Sequence, residues 1–179
     1  MAAGATVHTF EITLADVDRG VYEEVSLRVA RHPSETAAFM MTRVLAFCLE
    51  HQEGIAFSEG IATADEPAIV VRDLTGALVA WIEVGAPDAE RLHRGSCAAD
   101  RTAVYTHREP AKLLASWEGK RIHRREGVAL HSFDRAFIDA AAALVERRNA
   151  ATVSVTERHL YLELNGTSID TAICDHPLT

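Results

Sequence analysis

The sequence predicts an α/β fold: a mixed β-sheet flanked by helices, with the central order helix, β-hairpin, helix, strand. A hairpin is added before this core and further strands after it. Three observations lead there. Two short β-rich runs, Ala68 to Val71 and Leu78 to Val84, are joined by turn chemistry at Leu74-Thr75-Gly76 and predict a hairpin. Just before them, Ala37, Met41, Val44, Leu45, Cys48 and Leu49 recur at helical spacing. After them, a helix opening at Asp88 leads into Thr102 to Thr106, and a right-handed crossover makes that strand parallel to the one carrying Glu83.

The elements follow in order. Thr6 to Leu14 alternates, with His8, Phe10, Ile12 and Leu14 on one face. Val25, Leu27 and Val29 alternate likewise, and Asp16-Val17-Asp18-Arg19-Gly20 between them has the composition of a turn, so the pair forms an antiparallel hairpin. Pro33 stops the sheet, and Ser34 is the candidate N-cap of a helix to about Glu50, which puts Glu35 in its first turn. Ile55-Ala56-Phe57 is a short extended piece before the central hairpin.

Asp88 caps a helix to about Cys97, weakened near its end by Gly95. Pro110 opens another, closed at Glu118 by Gly119. Val128 to His131 is a further strand. Asp134 caps an Ala-rich helix expected to reach Arg148, where Arg147 and Arg148 suit its negative end. The tail predicts strands at Ala151 to Thr156, Leu160 to Leu164 and Ser168 to Ile173, with Asn165-Gly166 as a hairpin turn.

At 179 residues the chain suits one domain over 1–179, large enough to bury a core without staples. Hydrophobic residues at 48% and charged ones at 25% belong to a soluble globular protein. No apolar run reaches a membrane span, and Met1-Ala2-Ala3-Gly4 lacks the regions of a signal peptide, so a cytoplasmic location is the default expectation. Cys48, Cys97 and Cys174 lack metal-ligand spacing and are expected as thiols, with Cys48 on the inner face of its helix.

The net charge of −8 argues against indiscriminate attraction to nucleic acid. The densest basic run, Lys120-Arg121-Ile122-His123-Arg124-Arg125, has the composition to contact phosphate and also that of a solvated loop. The nine histidines show no zincin spacing; His32 and His93 lie nearest the expected cleft, with His32 serving a turn. Nucleophile-elbow, phosphate-loop and dinucleotide signatures are absent.

Glu83 is the residue that calls for explanation. A carboxylate within Trp81-Ile82-Glu83-Val84 is costly to bury without compensation. The two-residue period puts Trp81 and Glu83 on one face, expected to line a cleft, and Ile82 and Val84 on the other, expected to pack on a helix. An ionised Glu83 needs a cation or donors, and a metal, Arg43, Arg91 or Arg94 are the candidates by position.

Several stretches carry a wider likeness: Arg31-His32-Pro33-Ser34-Glu35-Thr36, Met40-Met41, Arg43, Leu45-Ala46-Phe47, Asp65-Glu66-Pro67, Leu74-Thr75-Gly76, Trp81-Ile82-Glu83, Gly85 with Pro87-Asp88, and Val104-Tyr105-Thr106. In these, with their spacing, the chain resembles the YaeQ family over nearly its whole length. That resemblance implies the restriction-endonuclease-like fold of the PD-(D/E)XK nucleases. In those enzymes an Asp on one hairpin strand and an acid on its neighbour converge on Mg²⁺, a lysine two residues after the acid orients the attacking water, and the metal polarises the phosphate.

Carried over residue by residue, the resemblance implies catalytic roles for Glu35, in the corresponding helix, and Glu83, at the second-strand acid. Asp65 or Glu66 is the candidate substitute for the carboxylate missing at Ala68, so the expected metal ligands are Glu83, Asp65 and Glu66, with Asp65 joining the catalytic set; Arg91, Arg94 and Arg43 are the candidate phosphate-binding cations by position. The departures are as informative. Pro67-Ala68 stands where Pro-Asp is expected, and Glu83-Val84-Gly85 where acid-x-Lys is expected. Ala86 follows the glycine where the family has Gln. Arginine can clamp a phosphate but cannot serve as a base. The expectation is therefore a degenerate Mg²⁺ site with little or no nuclease activity. The alternative is an active, divergent Mg²⁺-dependent phosphodiesterase acting on nucleic acid. A protein partner is the other expected class, and a membrane is not.

Overall fold

The computed structural model describes residues 4–58 and 65–178. Met1-Ala2-Ala3, and Thr63 with Ala64 ahead of the central hairpin, lie outside the described residues. In chain order the elements begin with strands β1 (Thr6–Asp16) and β2 (Val21–Arg31), helix α1 (Ala37–Leu49) and strands β3 (Ile55–Phe57), β4 (Ile69–Arg72) and β5 (Leu78–Val84). Helix α2 (Ala89–Ala98), strand β6 (Arg101–Thr106), helix α3 (Pro110–Trp117) and strand β7 (Ala129–Ser132) follow. Helix α4 (Arg135–Leu144) and strands β8 (Arg148–Thr156), β9 (His159–Leu164), β10 (Thr167–Ala172) and β11 (Cys174–Pro177) complete the chain. The class is α/β, and the strands divide into two mixed sheets.

The chain forms two compact units, one from Met1–Met41 with Phe133–Ile173, the other from Thr42–Ser132 with Cys174–Thr179. The first holds a sheet of order β10-β9-β8-β1-β2. β1 and β2 pair antiparallel from Thr6↔Arg31 to Asp16↔Val21, as the alternation predicts, while β8 runs parallel to β1. Phe10, Ile12, Leu14, Val25, Leu27, Val29, Val153, Leu160 and Leu162 are buried from successive strands, so one face carries the core. Phe137, Ile138 and Ala141 of α4 are buried too, and Asp134 caps that helix through Ala136 N–H.

Two boundaries differ from expectation, and tertiary pairing explains one of them. α4 ends at Leu144 because Arg148 onward pairs with β1. Asn149 holds that junction, donating to the Thr9 and Glu146 carbonyls and accepting from Glu146 N–H. α1 begins at Ala37, and Thr36 Oγ1, not Ser34, accepts from Phe39 N–H. Ser34 instead closes a turn with His32, whose Nδ1 lies 2.7 Å from its hydroxyl. Glu35 therefore precedes the helix and is not in its first turn.

The second unit holds a sheet of order β11-β7-β6-β5-β4-β3. β5, β6 and β7 are mutually parallel, and β4 and β3 are antiparallel additions. The parallel step from β5 through α2 to β6 is the one predicted. β11 was not anticipated: Cys174-Asp175-His176-Pro177 has neither alternation nor β-branched residues, and its pairing with β7 alone makes it a strand.

One face of this sheet carries Trp81, Glu83, Val104 and Leu130, and a cluster of Leu92, Val104, Leu113, Trp117, Ile122, Val128 and Leu130 forms its core. Gly95 has a packing reason: a Cβ there would lie 2.5 Å from the Trp81 ring. The expected cleft on the Trp81/Glu83 face is thus corrected, because α2 lies directly against it.

Candidate functional site

Glu83 is built into β5, where every residue from Ala80 to Val84 is buried, and is itself 4% exposed. Its carboxylate is held by protein donors. Trp81 Nε1 donates to Oε1 at 2.8 Å, and Arg91 Nη2 and Nε donate to the same oxygen at 3.1 and 3.2 Å. Arg91 Nε also reaches Oε2 at 3.3 Å. Arg91 is delivered by the first turn of α2, which Asp88 caps by accepting from Arg91 N–H at 2.8 Å. Its Nη2 also donates to the main-chain carbonyl of Glu66 at 2.7 Å, so one guanidinium ties β5 to the segment entering β4.

Burial nevertheless pushes the Glu83 carboxyl above its ordinary range, and the charge of Asp88 adds to the rise. The Arg91 charge and hydrogen bonds, with that of Trp81, oppose it without cancelling it. Arg91 is 27% exposed, so its charge is partly screened while Glu83 bears nearly full desolvation.

The remaining predicted site residues take different places. Asp65, almost fully exposed, pairs with Arg94 Nη1 at 3.2 Å, and Arg94 Nη2 also reaches Glu90 at 3.5 Å. Glu66 contributes its carbonyl through Arg91. Arg43 is buried with its guanidinium over the Phe57 ring, 5.3 Å from the centroid. Glu35 belongs to the first unit, buried in the turn before α1; Arg31 Nε donates to its carbonyl and His32 N–H to Oε2. The structure thus gathers Glu83, Arg91 and the Glu66 backbone, with Asp65 and Arg94 one turn along α2.

These residues do not fit a divalent cation. Both Glu83 oxygens already carry donors, Asp65 is paired with an arginine, and no three His, Cys, Asp or Glu side chains among the described residues are arranged to hold a metal ion.

Another buried carboxylate escaped sequence reasoning. Glu50, 7% exposed, follows the last residue of α1 and accepts from Tyr105 OH at 2.6 Å. Arg101 donates to it from both terminal nitrogens, Nη1 at 3.2 Å. Tyr105 in turn stacks on His131, whose Nδ1 lies 2.5 Å from Asp175 Oδ1. Partners more than fifty positions away leave no local signal.

Comparison with known proteins places the chain. A family model described as YaeQ protein matches residues 1–173. The chain belongs to the YaeQ family. Over 114 residues it is 36% identical to "Uncharacterized protein YaeQ" of Escherichia coli strain K12 and 34% identical to that of Salmonella typhi. Each alignment covers 64% of this chain and spans 63% of the curated relative's length. The crystal structure of YaeQ protein from Xanthomonas axonopodis pv. citri matches with a TM-score of 0.89 at 27% identity, covering 98% of this chain and 99% of that one. That of YaeQ protein from Pseudomonas syringae matches with a TM-score of 0.85 at 29% identity, covering 96% and 95%. The two solved YaeQ structures therefore share this chain's architecture over nearly its whole length.

Proposed function

We propose that this YaeQ-family chain keeps a PD-(D/E)XK nuclease-like, restriction-endonuclease-like core around a degenerate Mg²⁺ site, with little or no nuclease activity. The order α1, β4–β5 hairpin, α2, β6 supports the core, with β6 parallel to β5. The observation that carries the degenerate reading is the Arg91 guanidinium on Glu83. It bridges the second-strand acid and the Glu66 carbonyl, so the carboxylate serves a protein cation. Ala68 supplies no ligand beside it, and no lysine lies two residues beyond. Three cysteines that form no disulfide among the described residues suit a reducing, cytoplasmic setting.

The test is cleavage of labelled single- and double-stranded DNA and RNA by purified protein with Mg²⁺ or Mn²⁺. The expected result is no cleavage above buffer. Robust cleavage abolished by Glu83→Ala would overturn this reading in favour of an active divergent nuclease using Glu83, Glu35 and Asp65.

A further inference from the structure

The arginines around Glu83 are committed to acidic side chains or main-chain oxygens. A run of exposed cations in the second unit lies elsewhere, on the segment joining α3 to β7. From Gly119 to Arg125 it carries Lys120, Arg121, Arg124 and Arg125 with no acid, flanked by Glu118 and Glu126. Lys120, Arg121 and Arg124 are exposed and form no ion pair among the described residues. Asp100 lines a small cavity with Arg124 without pairing to it.

The segment is anchored at three points. Ile122 is buried in the core cluster between exposed Arg121 and His123. His123 N–H donates to His93 Nδ1 at 3.2 Å, and Arg125 Nη1 donates to the Trp117 carbonyl at 2.9 Å. Arg124 is held in the left-handed region at φ 48°. The cationic heads thus project from a backbone already fixed, which lowers the ordering cost of binding.

From this placement we infer that Lys120, Arg121, His123 and Arg124 form a docking surface for the phosphodiester backbone of a nucleic acid, separate from the Glu83 site and bound without base readout. Charge complementarity gives the class of partner. Guanidinium forks match phosphate oxygens, and two of the segment's three unpaired cations are arginines. A lipid surface fits less well, because the apolar residues of the segment, Ile122 and Val128, are buried and offer no anchor. The surface does not depend on the nuclease-like reading; an inactive protein can carry it.

The experiment is fluorescence anisotropy of a labelled oligouridylate with the full chain at about 50 and 200 mM salt. Compared with wild type are the loop pair Arg121→Gln with Arg124→Asn, Asn being chosen because it tolerates the left-handed backbone, and the exposed pair Arg28→Gln with Arg135→Gln, which removes the same charge elsewhere. Circular dichroism checks that each is folded. The expected result is salt-dependent binding by wild type and the Arg28/Arg135 pair. The loop pair should bind about tenfold more weakly, with a salt slope lower by about 1.4, about 0.7 for each lost single-strand phosphate contact. Three results would overturn the inference: no binding by wild type at the lower salt, equal weakening by both pairs, or tighter loop-dependent binding to phosphatidylserine vesicles than to the oligonucleotide.

Discussion

Glu83 and Glu50 are two solutions to one problem, set on opposite faces of one sheet. Each is a buried carboxylate with an arginine and an aromatic donor: Arg91 and the Trp81 indole for Glu83, Arg101 and the Tyr105 hydroxyl for Glu50. Register separates them, because Val84 and not Glu83 is the partner of Tyr105 across the parallel pair. They differ in what the acid joins. Glu83 lies mid-strand and its arginine ties the sheet to α2 and to the entry of β4. Glu50 closes α1, where the helix dipole disfavours a negative charge, and its two partners come from a single strand. Burial acts on Arg101 as well, pushing it down, but the hydrogen bond and charge of Glu50, with Tyr105, hold it above its ordinary value. Carboxylate, guanidinium and aromatic donor therefore recur here as a structural device, which favours a cohesive role for the Glu83 cluster.

That comparison is most sharply tested by Arg91→Ala. It leaves Glu83 buried without a countercharge, so a loss of about 3–5 kcal/mol is expected from urea denaturation. A loss below about 1 kcal/mol would mean that the carboxylate finds other donors once α2 lets go.

Next in size is Tyr105→Phe. It removes a hydrogen bond to a charged acceptor at nearly constant shape, and about 1.5–3 kcal/mol should be lost. If the melting temperature is unchanged, Arg101 alone satisfies Glu50 and the parallel with the Trp81–Glu83 contact fails.

The smallest effect expected is that of Glu83→Gln at neutral pH. Arg91 can turn its partly exposed head to water, and the desolvation of an ionised acid is relieved. The variant should lie within about 1 kcal/mol of wild type, equal or more stable. The sign with pH follows from the raised carboxyl. The unfolded chain ionises first, near about 4.3, so wild-type stability falls as pH rises from there through the higher folded value and then levels. Gln does not titrate, so wild type should gain on the variant as pH falls from neutral toward 4.3. A gain by the variant instead would show that Arg91 outweighs burial.

The strands with clean alternation, β1, β2, β8 and β9, and the hairpin–helix–strand step through α2 were legible because pattern, cap and turn residue agreed at each. Asp88 is the clearest case, an N-cap predicted and found. Two of the misses share a cause. α4 was expected to run on through Arg148, and β11 to be absent, because strand pairing decided both and pairing is invisible to local propensity. At the candidate site, Glu83 stood out as an acid in an apolar strand, and Arg91 was among its named candidate cations. Trp81 was placed on the face of Glu83, where a cleft was expected and α2 is found, and its indole was not recognised as a donor. Glu50 gave no signal, since its partners Arg101 and Tyr105 lie in β6, more than fifty positions along the chain.

The indole of Trp81, wedged over Gly95, has a consequence for observation. The chain has two tryptophans, Trp81 and Trp117, both buried in the second unit, where the Trp117 N–H donates to the Pro87 carbonyl. The first unit carries tyrosines but no tryptophan. Tryptophan emission is therefore a reporter of one unit alone, while far-ultraviolet circular dichroism sums both. Followed together through denaturant, the two signals would superimpose if the units unfold as one and separate if they do not. Emission from Trp81, in direct contact with the Glu83 carboxylate, would carry the ionisation of that acid as an optical change.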